Sequence, residues 1–143
     1  MTRHYIGTKI IKAWEADKDG NPGYGVIYED GYTSWSPKAT FEASYRAIEG
    51  ENQALTFGDA VALLKLGKKV ARAGWNGKGM LVYLVPGSTF SVSRAPLLLL
   101  GIYPEGTQIT YRPHLDLRTA DGSVSTWAPS NSDALAEDWM VVE

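Results

Sequence analysis

Residues Leu55–Gly87 read LTFGDAVALLKLGKKVARAGWNGKGMLVYLVPG, and this stretch decides the predicted fold of the chain. Its first half predicts a helix, because Thr56 is a good N-cap residue and Asp59 places a negative charge in the first turn. Gly67 stands where a helix C-terminal glycine is expected. The helix would bury a single apolar stripe, which consists of Phe57, Ala60, Val61 and Leu64.

The second half of the stretch predicts a β-hairpin. Lys68–Ala73 is typical of a strand, WNGKG of a turn, and MLVYLVPG of the returning strand. Trp75 in the turn has two open interpretations: it forms one wall of a pocket for a flat ligand, or it folds back onto the core. An indole serves either purpose, because it combines a flat apolar face with a polar N–H group.

Further strands follow this hairpin. Ser88–Gln108 predicts a loop with a short helical piece, and two strands joined by an Asp-Gly turn come next. A short helix capped by Asn131 or Ser132 then precedes a terminal strand. The predicted fold class is therefore α+β, a small and mostly antiparallel sheet with one main helix in a domain of residues 55–143.

Residues 1–50 predict a separate N-terminal extension, a β-hairpin followed by a helix. Tyr5–Trp14 and the segment YGVIYED are typical of strands, and KDGNPG between them is a turn signal. For the helix, Ser36 is the expected N-cap and Pro37 the first helical residue.

Composition excludes several classes of protein. The chain has 143 residues, a net charge of −2 and no cysteine, so it has neither disulfides, a thiol nucleophile nor cysteine-ligated zinc. The acidic balance disfavours binding to a nucleic-acid backbone. The N-terminus lacks the apolar core of a signal peptide, and the longest apolar run, APLLLLGIY, is too short to cross a bilayer. These features predict a soluble, cytoplasmic protein that does not bind membranes.

The residues around the turn suggest a nucleotide-type ligand. Trp75 and Trp127 each end a predicted strand and could stack on a base. Arg72 and Arg112 could meet a pyrophosphate, and Asn76, Asn131 and Asp133 could bond to ribose hydroxyls or base edges. The alternative is that both tryptophans belong to the core and the arginines are surface charges. The complete set is Arg72, Trp75, Asn76, Lys78, Arg112, Trp127, Ser130, Asn131 and Asp133.

One pair could instead serve catalysis. His114 and Asp116 lie two residues apart on a predicted strand and would share a face, as a proton relay or a metal site requires. This spacing more often indicates a histidine that merely lies beside a carboxylate on the surface of a strand. Near the C-terminus, Asp138 is predicted to cap the preceding turn and Trp139 to fill the core.

As a whole, the second part of the chain resembles the Thoeris anti-defence protein 2 family of small phage proteins, from about Leu55 to Val142. The resemblance rests on the TFG-type helix start, the GKKVAR-x-GWNGKG hairpin, a following tryptophan with a serine/aspartate stretch, and the closing LA-x-DW. Residues 1–54 are an extension relative to the shortest members.

The resemblance implies a protein that binds a cyclic ADP-ribose-type immune signal, and for some members cyclic dinucleotides, without cleaving it. It implies a homotetramer in the host cytoplasm with ligand pockets between subunits, no cofactor, no metal and no catalytic residue. Trp75 and Trp127 match the stacking positions, and Arg72, Asn76, Ser130 and Asp133 match the polar positions around them. Lys78 and Arg112 are added from their charge and location. The rival hypotheses are a nucleotide hydrolase using His114 and Asp116, and a structural phage protein.

Overall fold

The computed structural model describes residues 1–143, which divide into two compact units, Met1–Arg46 and Ala47–Glu143. Ten strands and three short helices give an α+β fold whose paired strands are all antiparallel, which confirms the predicted fold class. The longest helix has nine residues. No helix combines the length and the apolar character that a membrane crossing requires.

The first unit is a three-stranded sheet followed by a helix. Its elements are β1 (Lys12–Glu15), β2 (Gly23–Ile27), β3 (Thr33–Pro37) and α1 (Lys38–Ser44), with β2 in the centre of the sheet. The predicted N-cap at Ser36 is wrong, because Ser36 pairs with Tyr24 in the β2–β3 ladder. The residue before a proline favours the extended conformation, so the strand runs on to Pro37 and the helix starts one residue later.

Two indoles lie flat on the central strand of this unit. A Cβ atom on Gly25 would meet the Trp14 ring, and one on Gly23 would meet the Trp35 ring, both at under 3.0 Å. Glycine is therefore required at both positions. In addition, the Tyr24 ring stacks on Phe41 of α1 at 4.1 Å, so that the helix and the sheet are joined by aromatic contact. An open groove of about 640 Å³ is lined by Asn21, Pro22, Trp35, Pro37, Lys38, Ala39 and Glu42.

The second unit contains a five-stranded sheet, a separate two-stranded sheet and two helices. In chain order the elements are α2 (Phe57–Lys65), β4 (Lys69–Arg72), β5 (Leu81–Val85), β6 (Ser88–Ser91), β7 (Gln108–Tyr111), β8 (His114–Arg118), β9 (Val124–Thr126), α3 (Asn131–Leu135) and β10 (Trp139–Val142). The larger sheet has the order β10-β4-β5-β8-β9, so the C-terminal strand lies beside the strand that precedes the glycine-rich turn.

The predicted caps of α2 are confirmed. The Thr56 hydroxyl accepts a hydrogen bond from the Asp59 N–H, and the Asp59 carboxylate accepts one from the Thr56 N–H, forming a capping box. Gly67 follows the helix with a φ of 85°, which favours glycine. The buried face of α2 consists of Ala60, Leu63 and Leu64, so Leu63 takes the place predicted for Val61.

One hydrophobic core holds α2 against the larger sheet. Its fully buried members are Leu55, Ala60, Leu63, Leu64, Val70, Val82 and Trp139. Trp139 is completely inaccessible to solvent, which confirms its predicted place in the core. Because Trp139 pairs with Arg72 at one end of β10 and bridges to Leu55 on its other side, this residue connects the sheet to the segment that enters α2.

Residues 88–111, here named the arm, form the two-stranded sheet and its long connection. β6 and β7 pair only with each other, and the connecting segment consists of turns, so the predicted helical piece is wrong. Two hydrogen bonds of the helical i to i−4 type, Leu98 N–H to Arg94 O and Leu100 N–H to Pro96 O, occur there, but they are not consecutive and no helix forms.

The burial of Leu64 in α2, compared with the exposure of Leu66 just after the helix, generates the first prediction. Leu64 is 2% exposed and Leu66 is 63% exposed. Leu64→Ala should lower the free energy of unfolding by roughly 2–5 kcal/mol, because it removes packed methyl groups and leaves a cavity. Leu66→Ala, the matched control, should change it by less than about 0.5 kcal/mol. Urea denaturation followed by circular dichroism measures both, and similar midpoints for the two variants would contradict the assigned core.

Candidate ligand-binding site

An arginine held by two carboxylates organises the end of the sheet where the glycine-rich turn begins. Arg72, the last residue of β4, donates from Nη1 to Asp133 Oδ1 at 2.9 Å and from Nε to Asp138 Oδ1 at 2.8 Å. The three side chains are 19%, 13% and 33% exposed, so the bonds are largely shielded from solvent. Hydrogen bonds between charged groups in such surroundings fix the geometry of all partners.

Each carboxylate also binds a second part of the chain. Asp133 accepts hydrogen bonds from the Ser130 N–H and from Trp75 Nε1, and Ser130 Oγ accepts from the Asp133 N–H. Ser130 is therefore the N-cap of α3 in a second capping box, and the predicted caps at Asn131 and Ser132 are wrong. The serine occupies the position where its hydroxyl can reach the N3 amide, which the other two do not.

Asp138 is the residue that sequence reasoning placed wrongly. Instead of capping the preceding turn, its carboxylate accepts from Arg72 and, at 2.8 Å, from the Gly74 N–H. A Cβ atom on Gly74 would lie 2.8 Å from Asp138 Oδ2, so a larger residue at this position would displace the carboxylate oxygen. The pairing of β10 with β4 puts Asp138 beside the turn, and no local motif signals that long-range pairing.

These contacts shift the pKa values of all three charged groups. Burial alone would raise the pKa of Asp133, but the hydrogen bonds from Arg72, Ser130 and Trp75 outweigh it and the pKa is lowered. The hydrogen bond from Arg72 lowers the pKa of Asp138, helped by the Gly74 N–H. Hydrogen bonds to Asp138 and Asp133 raise the pKa of Arg72. Near neutral pH the cluster therefore carries two negative charges and one positive charge.

Four aromatic rings stand beside this cluster. The buried Trp139 ring contacts Trp75 at 5.3 Å, Phe57 at 5.3 Å and Trp127 at 6.0 Å between centroids. Trp139 Nε1 donates to the backbone carbonyl of Asp133 at 2.9 Å, which ties the core indole to the first turn of α3. Trp75 and Trp127 are both half-buried against the core.

The two half-buried indoles do not face each other. The Trp75 and Trp127 centroids are 6.3 Å apart and the ring planes meet at 69°, an edge-to-face contact. A base sandwiched between two rings needs parallel faces, so within one chain a flat ligand could stack on one indole at a time. Trp75 therefore packs against the core, as its second interpretation predicted, and remains partly accessible, while its role as the wall of a pocket stays a prediction.

The predicted site residues fall into two groups. Direct hydrogen bonds connect Arg72, Trp75, Ser130 and Asp133, and ring contacts add Trp127 to them. The side chains of Asn76, Lys78 and Arg112 are exposed and make no hydrogen bond or ion pair with this network. Lys78 and Asn76 lie in the turn, and Arg112 lies between β7 and β8.

His114 and Asp116 form a separate pair on β8. His114 Nε2 lies 3.5 Å from Asp116 Oδ1, and Nδ1 lies 3.0 Å from the Arg112 carbonyl oxygen. No group of three or more histidine, aspartate or glutamate residues is arranged to hold a metal ion. The pair lies within ion-pair distance, but its two side chains do not make the hydrogen bond that a proton relay uses.

Comparison with known proteins bears on the whole of this unit. The sequence model of the Thoeris anti-defense 2-like domain matches residues 55–142, which include α2, the larger sheet, the arm and α3. The chain belongs to the Thoeris anti-defense 2-like family. Thoeris anti-defense 2 of Bacillus phage SP01 is 33% identical over 88 residues, which cover 62% of this chain and 94% of that protein. The predicted resemblance is confirmed, and residues 1–54 lie outside the family match.

Protonation of the carboxylates generates the second prediction. In Asp138→Asn the charge opposite Arg72 is lost, so the free energy of unfolding near neutral pH should fall by about 1–2 kcal/mol. Because the folded-state pKa values of Asp133 and Asp138 are lowered from 3.8, this stabilisation is complete above that value and lost as the pH falls through the lowered values. The variant and the unmodified protein should therefore converge once the pH has fallen below the lowered pKa of Asp138.

Urea denaturation across this pH range measures the effect. Glu137→Gln is the matched control, since it removes the neighbouring carboxylate, which is exposed and makes no ion pair. A difference between Asp138→Asn and the unmodified protein that stays constant as the pH falls from neutral into the acid range would show that charge on Asp138 does not stabilise the fold.

Proposed function

We propose that this chain is a phage anti-defence protein that binds a cyclic ADP-ribose-type immune signal and holds it without cleaving it. The observation that carries the proposal is that the family match covers the unit in which the tryptophans, Arg72 and the two aspartates form one connected cluster. The proposal includes a homotetramer with pockets between subunits, acting in the cytoplasm of the host cell.

The connected cluster suits the base and ribose of such a ligand. Hydrogen bonds already fix Trp75, Asp133 and Arg72, so binding would cost little conformational entropy at these residues. The accessible part of the half-buried Trp75 or Trp127 ring offers a surface on which adenine could stack. The Asp133 carboxylate and the Ser130 hydroxyl lie at the N-terminus of α3, where they could bond to ribose hydroxyls.

Phosphate groups would bind elsewhere, because two carboxylates already compensate Arg72. An anion that approached this cluster would meet a net negative charge, which disfavours binding. Lys78 and Arg112 are exposed cations without carboxylate partners and are the better candidates for the pyrophosphate. Arg72 Nη2, which makes no hydrogen bond, remains able to donate to a neutral acceptor.

Calorimetric titration with isomers of cyclic ADP-ribose and a panel of cyclic dinucleotides tests the proposal. We expect saturable binding to at least one of them, and chromatography of the ligand released by heat should recover it unchanged. Cleaved nucleotide would overturn the proposal in favour of an enzyme. The absence of binding across the panel would favour a structural role.

Replacement of one indole tests where the base stacks. Trp75→Ala should weaken binding by roughly 1–3 kcal/mol, which is about 5–150-fold in the dissociation constant. Trp14→Ala is the matched control, because this exposed indole belongs to the first unit and should leave affinity unchanged. Circular dichroism establishes that both variants fold. Equal affinity of Trp75→Ala and the unmodified protein would show that no base stacks on Trp75 and that its role is structural.

The contact between His114 and Asp116 supports the rival hypothesis of a nucleotide hydrolase and is tested by His114→Ala. We expect this variant to retain affinity, and we expect neither protein to produce cleaved ligand. If the unmodified protein cleaved the nucleotide and His114→Ala did not, the hydrolase would be established.

A further inference from the structure

We propose that the open sheet face of the first unit, here named the indole face, binds a neutral oligosaccharide whose sugar rings stack on Trp14 and Trp35. The inference goes beyond the proposed function, because it concerns a different unit of the chain and a different class of ligand. The residues that carry it precede residue 55, where the family match begins.

Both indoles lie on one face of the sheet, and α1 packs on the other. Gly25 of β2 pairs with Trp14 of β1 and with Trp35 of β3, so these two side chains point to the same side. Tyr24, the neighbour of Gly25, points to the opposite side, where its ring stacks on Phe41 of α1. The helix therefore leaves the indole face uncovered, and Trp14 on this face is 52% exposed.

The two rings cross the central strand from opposite edges of the sheet. The Trp14 ring lies on Gly25 and the ring of Trp35 on Gly23. Trp35 is also fixed by a hydrogen bond from Nε1 to the Ala16 carbonyl at 2.7 Å. Because the two glycines are two residues apart, which is about 7 Å along a strand, the rings lie side by side. Two neighbouring rings of one ligand could each cover an indole, and the fixed indoles would lose little conformational freedom.

Polar side chains without partners surround the two rings. Lys12 and Thr33 occupy the next positions on this face of β1 and β3, and both are exposed. Lys18 Nζ lies over the Trp35 ring, 5.6 Å from its centroid. These three side chains, like Trp14 Nε1, make no hydrogen bond or ion pair within the chain. A sugar ring combines an apolar face of C–H groups with hydroxyls at its edge, so it suits flat indoles with a polar rim.

The charge balance of the first unit favours a neutral ligand. Residues 1–46 contain six lysine or arginine residues and six aspartate or glutamate residues. The turn that carries Lys18 also carries Asp17 and Asp19, so a phosphate that approached the ammonium would meet carboxylates as well. A single-stranded nucleic acid could stack on the same rings, but its binding requires an excess of cations. The ammonium over the Trp35 ring likewise disfavours a cationic ligand there.

The open groove of this unit offers room for further sugar rings. Trp35 belongs both to the indole face and to the lining of this groove of about 640 Å³, a volume typical of small-molecule sites. Pro22 and Pro37 add apolar surface to the groove, and the amide of Asn21 adds both a donor and an acceptor. A ligand longer than two sugar rings could therefore extend from the indoles into the groove.

Calorimetric titration of the full chain with neutral hexasaccharides tests the inference. The probes are glucose hexamers with β-1,4 and α-1,4 linkages and the β-1,4-linked hexamer of N-acetylglucosamine. We expect saturable binding of at least one probe, with equal affinity at about 0.05 and 0.5 M salt because no net charge is involved. Absence of binding across the probes would overturn the inference. Binding of single-stranded oligothymidine in place of the sugars, weakened by salt, would also overturn it.

Removal of one indole locates the site. Trp14→Ala should weaken binding of the hexasaccharide by roughly tenfold, because one of the two stacking surfaces is lost. Tyr32→Ala is the matched control, since this residue is 66% exposed in the same unit but stacks on Tyr28 outside the indole face, and its affinity should be unchanged. Circular dichroism establishes that both variants fold. An unchanged affinity in Trp14→Ala, or an equal loss in Tyr32→Ala, would contradict the assigned site.

The indole N–H signals of the unmodified protein, labelled with ¹⁵N, provide a test without substitution. The bound hexasaccharide should shift the signals of Trp14 and Trp35 and leave those of the three tryptophans after residue 55 in place. Shifts confined to those three would overturn the inference. Titration of the cyclic nucleotides separates the two proposals, because the proposed function requires shifts at Trp75 or Trp127. Failure of either titration therefore contradicts one proposal and leaves the other standing.

Discussion

The burial of Trp139 is the constraint on which the second unit depends. This residue is inaccessible to solvent, pairs with Arg72 across β10 and β4, and bridges to Leu55 ahead of α2. Its ring contacts Phe57, Trp75 and Trp127, and its Nε1 bonds to the Asp133 carbonyl. The core and the candidate site are consequently one structure, and a change that loosens the indole would loosen both.

The electrostatics of the site follow from the same packing. Because β10 lies beside β4, the Asp138 carboxylate contacts Arg72 and the turn that follows it. The hydrogen bond from Trp139 Nε1 to the Asp133 carbonyl holds the first turn of α3 close to the Arg72 guanidinium. Arginine suits this position, since its planar group can bond to two carboxylates at once and does not lose its charge. The result is a rigid cluster with a net negative charge, next to a turn that carries the uncompensated Lys78. Hydroxyl groups of a ligand could bond to the carboxylates of the cluster, and its phosphate groups could bind Lys78.

Local signals predicted the local structure well. Thr56, Asp59 and Gly67 specified α2 because capping and a left-handed glycine act within a few residues. The same reasoning failed at Ser36, where strand pairing with Tyr24 prevailed over the capping preference, and in the arm, where an apolar run is equally compatible with a buried helix and an exposed turn. At the site, residue chemistry selected Arg72, Trp75 and Asp133, but it assigned Arg72 to a phosphate. Asp133 and Asp138, which neutralise Arg72, lie more than 60 residues further along the chain. The pairing of β10 with β4 brings them close to it, and no short stretch of sequence signals that pairing.

The first unit is stabilised by a different set of contacts. Its sheet is stabilised by indoles lying on glycines and by the Tyr24–Phe41 stack, whereas the buried residues of the other core run from Leu55 to Trp139. The family match likewise begins at residue 55, after the boundary between the units. The hydrogen bonds that build the candidate site, from Arg72 to Asp133 and Asp138 and from Trp75 to Asp133, all lie within the family match.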